Sequence, residues 1–392
     1  MQKMFFKTVE QEQRYNEIGQ LADKFAKRAQ KYDQEGSFPV ENINELKQAG
    51  YTTLTLPTEF GGKGATLYEF VLLHERLAQG CGSTALSIGW HVGIILDLAT
   101  TRPWPKDKYA AVMAKVNEHA LLNRAATEAQ TGSPTRGGKP QTTVIKEHNY
   151  WRISGRKIFT TMAPVLDFFL VSAAIDGDDK IGEFLIPRDT QGVRIEETWN
   201  SIAMRATESH DLILEDVKID EDHLLEIVSA RPKQKANGWL LHIPACYLGI
   251  AQAASHYAIK FASSYQPNSL NHTIIELPNV QRQIGEMELE LKHARHFLLS
   301  VADKWDQLED KTITIPDLAA VKHVVTNTTI KIVDKAMRIV GARSLSENSP
   351  LQRYYRDVRA GLHNPPMDDA TLHLLAQSAI TSFTDKVEKK QG

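Results

Sequence analysis

The chain has 392 residues and a formal net charge of −2, with 42% hydrophobic and 24% charged residues. That length builds two or three domains around a large core, and the near-neutral balance gives no global field for nucleic acid or an anionic membrane. Only two cysteines occur, Cys81 and Cys246, both in apolar helix-like contexts that suit buried free thiols in a reducing compartment. No CxxC, HExxH or P-loop pattern points to zinc or to a nucleoside triphosphate. The N-terminus lacks the apolar run of a signal peptide. No window approaches about 20 apolar residues, so no membrane span is expected and the cytoplasm is the expected location.

Residues 8–120 read as helical. Ile18, Leu21, Ala22, Phe25, Ala26 and Ala29 keep a 3.6-residue period, and Gly36 to Pro39 ends that helix. A helix from Val40 to Ala49, an irregular GYTTLTLPTEFGGKGAT stretch, and helices Leu67–Gln79 and Ser83–Leu98 follow. From 121 to about 230 the pattern changes to alternation. Residues 142–146 and Tyr150 to Ile153 read as a hairpin turning at His148-Asn149, and Asp167 to Ser172, Glu183 to Ile186, VRIEETW and HDLILEDVKI read as strands. Long strands without intervening helices predict an antiparallel domain and not a dinucleotide fold. Helices return over Leu240–Ser263, Val280–Trp305, Pro316–Val340 and Asp368–Val387, the material of a four-helix bundle. The expected fold is α+β in three domains: residues 1–120 helical, 121–230 an antiparallel β-domain, and 231–392 a helical bundle.

The stretch from Arg124 to Ala163 carries the chemistry. It opens RAATEAQTGSP and closes GRKIFTTMA, with small and hydroxyl residues at both ends that let backbone approach a flat or phosphorylated ligand. The ordered pair TEAQTGS and GRKIFTT resembles the flavin-binding segment of the acyl-CoA dehydrogenase family. MRATESHDLILEDVKI, the FGGKG loop and the helix–strand–helix order resemble the same family over essentially the whole chain. The resemblance implies a flavoprotein oxidoreductase with FAD, or FMN or reduced flavin, between the β-domain and the bundle. It implies that Ala126 and Thr127 meet the pyrimidine edge of the ring, Ser133 the pyrophosphate, Phe159 a ring face and Thr161 the N5 region. Donors near N1, O2 and N5 would stabilise the reduced ring.

The resemblance also implies that the C-terminal helices complete the cofactor site across a subunit interface of a homotetramer, through Gln281, Arg338, Gly341 and Arg343. Arg338 stands where the family has glutamine, and its R-x-x-F-G cofactor motif is replaced by SSYQPNSLNHT. The larger departure is the base. The family's dehydrogenases place a glutamate shortly after the R-D-x-R run. Counting from Arg356-Asp357-Val358-Arg359, that position is Pro365. At the alternative site, near Trp239, there is again no carboxylate.

Two candidates remain for the base. Asp368 or Asp369 replaces it after a loop shift, unless they cap the last helix. Otherwise His363 acts, because the L-H-[DN]-P run of GLHNPPMDD is similar to the flavin monooxygenases of this fold, with His91 as a second active-site histidine. The expected activity is flavin-dependent oxidation of an acyl-CoA thioester with an atypical base. The alternatives are a monooxygenase using reduced flavin and oxygen on an aromatic, amine or sulfur compound, and a non-catalytic flavin or acyl-CoA binding protein. An electron-transfer or flavin-reductase partner is implied with either enzyme.

Overall fold

A computed structural model describes residues 2–131, 138–229 and 235–391. The first third is helical: α1 (Val9–Ala26), α2 (Ala29–Glu35), α3 (Val40–Gln48), α4 (Leu67–Ala78), α5 (Gly82–Thr101) and α6 (Lys106–Asn117). Thr8 caps α1 by accepting from the Gln11 amide. The helix expected to run through Ala29 is two helices, broken after Ala26. Gly36, at φ 69°, stops the second in the left-handed conformation that glycine adopts freely.

α5 corrects one expectation. It is long and apolar enough by composition to cross a membrane, but 78% of its apolar window is buried inside the protein. A helix apolar on every side is what a core position demands.

The middle of the chain is one eight-stranded sheet. Its strands are β1 (Leu122–Ala125), β2 (Thr143–Glu147), β3 (Tyr150–Thr160), β4 (Phe168–Ile175), β5 (Lys180–Pro187), β6 (Val193–Glu196), β7 (His210–Asp220) and β8 (Leu224–Ser229). The order is β6-β7-β3-β2-β4-β5-β8, with β1 beside β4. The sheet is mixed and not purely antiparallel: β4 pairs in parallel with both β1 and β2. The cause is topological. After β3 the chain passes its neighbour and inserts β4 beyond β2, and a strand that skips one place returns parallel to the next.

The last third holds α7 (His242–Ser264), α8 (Pro278–Gln307), α9 (Ile315–Val340), α10 (Pro350–Ala360) and α11 (Asp368–Gln391). α7 is the central rod, packed on α4, α5, α8, α9 and α10. It lies so close to α4 that a Cβ on Gly249 would sit 2.3 Å from the Glu75 carbonyl oxygen. α11 leaves Leu372, Ile380 and Phe383 exposed.

Candidate active site

A cavity of about 770 Å³ opens between the sheet, α5 and the α10–α11 connection, a size that holds a ring system and a small second molecule. Thr127, Ile158, Phe159 and Thr161 form its sheet wall. Trp90, Trp199 and Trp239 supply aromatic surface. Arg359, His363, Asn364 and Pro365 form the opposite edge.

The sheet wall is set by a bulge. The β3–β7 register slips between Lys157 and Thr160, and Phe159 sits in the slip with φ 59°. The Ile158 amide donates to the Thr127 carbonyl at 2.8 Å, which ties the TEAQTGS loop to the bulge. A bulge of this kind re-aims a side chain. Phe159 is left 60% exposed, held edge-on to Trp199 at 6.1 Å. A large aromatic in a left-handed backbone, uncovered in a cavity, is a strained residue built to meet a flat partner. Next to it runs a chain of hydroxyls. Ser209 Oγ is 2.9 Å from both Thr161 Oγ1 and Thr207 Oγ1, and all three residues line the cavity. Uncovered aromatic face and neutral donors together fit an isoalloxazine ring, whose redox edge needs donors without a competing base.

The frame around this wall is a buried ion pair that the sequence reading passed over. Lys157 Nζ donates to Glu128 Oε1 at 2.6 Å and to the Ser172 carbonyl at 2.7 Å. Glu128 also accepts from Thr142 N (3.0 Å), Thr142 Oγ1 (2.7 Å), Gln141 N (2.6 Å) and Thr131 Oγ1 (2.9 Å). Burial pushes this carboxyl up, but the Lys157 ammonium and the backbone donors outweigh it and hold the group at about 2. The signal was available: the first motif carries one acid, Glu128, and the second the cations Arg156 and Lys157, and buried charges come in pairs.

The opposite edge carries the departure from the family. Pro365 and Trp239, the two positions matching the family's base, both line this one cavity. Among the described lining residues the only acid is Glu128, and it is committed to Lys157. His363 lines the cavity and is exposed. Its loop is anchored: the His363 amide donates to the Ala360 carbonyl at 3.0 Å, and the Tyr247 hydroxyl donates to Asn364 Oδ1 at 2.6 Å.

The other two catalytic candidates lie elsewhere. Asp368 opens α11 and turns to α9, 3.0 Å from His323 Nδ1 and accepting from Asn327 Nδ2 at 3.0 Å. It anchors the start of α11 to α9, and Asp369 beside it is exposed. His91 is wholly buried, and both ring nitrogens are spent on backbone: Nε2 donates to the Thr52 carbonyl at 3.0 Å, and Nδ1 accepts from the Leu122 amide at 3.2 Å. Burial pushes its pKa down to about 4, so it is a neutral brace between a loop and β1. Its neighbour Trp90, with Leu86 one turn earlier, lines the cavity from α5.

Of the cofactor candidates, Ala126, Thr127, Phe159 and Thr161 come together on the sheet wall. Ser133 lies outside the described residues. Gln281, Arg338, Gly341 and Arg343 are exposed on the C-terminal helices, away from the cavity lining. Gly341 ends α9 at φ 70° with open space around it, so it serves the turn, and Arg343 lies over the Tyr265 ring at 4.5 Å. In the single chain these four do not join the others.

Three family models match the chain: the acyl-CoA dehydrogenase N-terminal domain over residues 8–116, the middle domain over 123–217 and the C-terminal domain over 241–364. The chain is 53% identical, over 97% of its length and 100% of the relative's, to a Bacillus subtilis (strain 168) protein named "Putative acyl-CoA dehydrogenase YdbM". Butyryl-CoA dehydrogenase from Megasphaera elsdenii superposes with a TM-score of 0.83 at 21% identity, covering 96% of this chain and 99% of that one. Methanesulfinate monooxygenase MsuC from Pseudomonas fluorescens superposes with a TM-score of 0.82 at 23% identity, covering 94% of this chain and 97% of that one.

Proposed function

Because the chain belongs to the acyl-CoA dehydrogenase family, a family of flavin oxidoreductases, we propose that it uses this fold as a monooxygenase. It would take reduced flavin and dioxygen and place one oxygen atom on a small organic substrate. The observation that carries this reading is the acid content of the cavity. Removing the α-proton of a thioester needs a base beside the substrate. Pro365 and Trp239 occupy both places where the family puts that base, and Glu128 is bound to Lys157. Oxygen transfer needs no such carboxylate.

A bound reduced flavin supplies the two electrons that activate dioxygen, one oxygen atom going to the substrate and the other leaving as water. The chain's own residues do the rest. Phe159 and Trp199, which line the cavity, would cover the ring face, and Trp90 and Trp239 would exclude water. The Thr161, Ser209 and Thr207 hydroxyls, linked to one another, would donate to the redox edge. His363 gives a hydrogen bond to the oxygen being transferred and moves the proton. The experiment mixes protein holding reduced FMN with dioxygen and a panel of indole, benzoate and benzenesulfinate. Oxygenated product in the mass spectrum is the expected result; reoxidation that only releases hydrogen peroxide, with every compound unchanged, speaks against it.

A second reading has an observation of its own. His363 stands two residues before Pro365 on the cavity edge and could serve as the base for acyl-CoA oxidation, the activity in the name of the 53% identical relative.

The ring site is common to FAD and FMN. SSYQPNSLNHT in place of the R-x-x-F-G motif, and the exposed Arg338 and Arg343, support a flavin held mainly by its ring, hence FMN exchanged with a flavin-reductase partner. Phe159→Ala is expected to weaken FMN binding about tenfold, the worth of one aromatic stack, as read by flavin fluorescence titration. Its unfolding midpoint should stay put, because Phe159 is exposed. The uncovered Leu372, Ile380 and Phe383 on α11 support assembly of several copies, with the family's homotetramer as the expected state.

A further inference from the structure

The cavity edge formed by the end of α10 and the loop after it points to a class of substrate. Among the described residues three arginines line the cavity, and two are fully engaged. Arg124 sits between Asp97 (2.9 Å) and Glu183 (3.2 Å). Arg356 holds Asp33 through both terminal nitrogens and also donates to Gln352 Oε1 at 2.8 Å. Both Asp33 and Arg356 are largely buried, so this pair is structural. Arg359 differs. Its carboxylate contact is a single 3.3 Å approach to Asp334, which is 44% exposed and so well screened. Its guanidinium otherwise rests on the Tyr355 ring, 3.4 Å from the centroid, and Nη1 donates to the Tyr355 carbonyl, so the only carboxylate beside its charge is the screened Asp334.

One turn further along stands Asn364, and its orientation is set from below. Tyr247 is completely buried on α7, and its hydroxyl has one proton to place. It places it on Asn364 Oδ1 at 2.6 Å. With the amide oxygen taken, the NH₂ of Asn364 is the end left for the cavity, beside His363. The loop cannot drift from this arrangement: a Cβ on Gly361 would already lie 2.9 Å from the Tyr247 ring. Opposite these donors the only lining acid among the described residues is Glu128, neutralised by Lys157.

We propose that Arg359 and the Asn364 amide, aimed by Tyr247, form a subsite for the oxyanionic head group of the substrate, of the carboxylate or sulfonate class. The apolar remainder lies against the tryptophan walls, and Tyr247 is a positioning residue that never touches the substrate. The proposal rests on the cavity being a substrate site and deepens the oxygenation reading, but it makes a claim about binding alone.

The test is therefore calorimetry on the oxidised, FMN-loaded protein, with no reductant present. Benzoate and benzenesulfonate are titrated against benzyl alcohol, their neutral counterpart. Both anions are expected to bind at least about tenfold more tightly than the alcohol, since a hydrogen bond to a charged group is roughly twice as strong as one between neutral groups. Arg359→Gln and Asn364→Leu should each lose about tenfold for the anions. Tyr247→Phe keeps the packing and should lose about fivefold for the anions while leaving benzyl alcohol unchanged, a selectivity that a merely structural role would not produce. Equal binding of anion and alcohol overturns the proposal, as does wild-type anion affinity in the three variants. Binding of coenzyme A with neither small anion bound overturns it too. So does an Arg359→Gln variant that loses FMN and not benzoate, which would give that arginine to the cofactor phosphate. Anion binding without any oxygenated product would sink the oxygenation reading and leave the subsite standing.

Discussion

Replacing His363 with alanine is expected to lower the rate of substrate oxygenation by about 10²–10⁴-fold, the usual contribution of one positioned proton donor or acceptor. Hydrogen peroxide released per dioxygen consumed should rise in the same variant, since oxygen then leaves without being transferred. His363 is exposed, so its loss leaves the fold intact and the rate change is chemical and not structural. His363→Asn, which keeps a donor but cannot shuttle a proton, should fall between the two. A His363→Ala protein with wild-type turnover and wild-type peroxide yield would remove the histidine from the mechanism. The contrasting expectation concerns His91. His91→Ala removes two hydrogen bonds to backbone inside the core, so it should lower stability, with any loss of turnover following the loss of folded protein.

The second large effect is on stability. Lys157→Met leaves Glu128 buried without its cation, and breaking a buried pair by removing one partner costs about 3–5 kcal/mol. Urea denaturation at neutral pH reads this directly. The pH dependence has a definite sign. The folded-state pKa of Glu128 is depressed to about 2 from an ordinary value of 4.5. Its contribution is therefore complete above the unfolded pKa of about 4.3 and is lost as pH falls from there toward about 2. The size is on the order of 3 kcal/mol, at about 1.4 kcal/mol per unit. Glu128→Gln should be less stable at neutral pH, because Lys157 is then unpaired, yet should lack this component of the acid profile. A Glu128→Gln protein whose acid profile parallels the wild type would show that the pair does not hold the loop.

How far the sequence was legible follows from what each feature depends on. The long helices α7, α8 and α9 were plain because their apolar periods run for many turns, and the hairpin was plain because His148-Asn149 marks its turn. The mixed sheet was not, since strand order depends on which neighbours a returning strand meets and leaves no local mark. The break between α1 and α2 was hidden because the apolar period runs across it. In the site, Thr127, Phe159 and Thr161 were found by motif, and the structure gathers them. The Phe159 bulge was invisible because it belongs to the pairing of β3 with β7. Arg359, Asn364 and Tyr247 come together only through the packing of α10 on α7, more than a hundred residues apart in sequence. His91 and Asp368 show the opposite error. Both are chemically able, but burial and backbone partners in one case and a helix start in the other commit them elsewhere.

The proposal to be tested is that this cavity oxygenates a small organic substrate, against the second reading, oxidation of an acyl-CoA with His363 as base. The most direct measurement is anaerobic addition of butyryl-CoA and octanoyl-CoA to the flavin-loaded protein, following flavin absorbance. Under the oxygenation proposal the absorbance of the oxidised flavin stays unchanged, because Pro365 and Trp239 stand at the two places of the family's carboxylate base and His363 serves oxygen transfer. Rapid bleaching with formation of the enoyl-CoA, abolished in His363→Ala, would contradict it and establish a dehydrogenase that uses a histidine base.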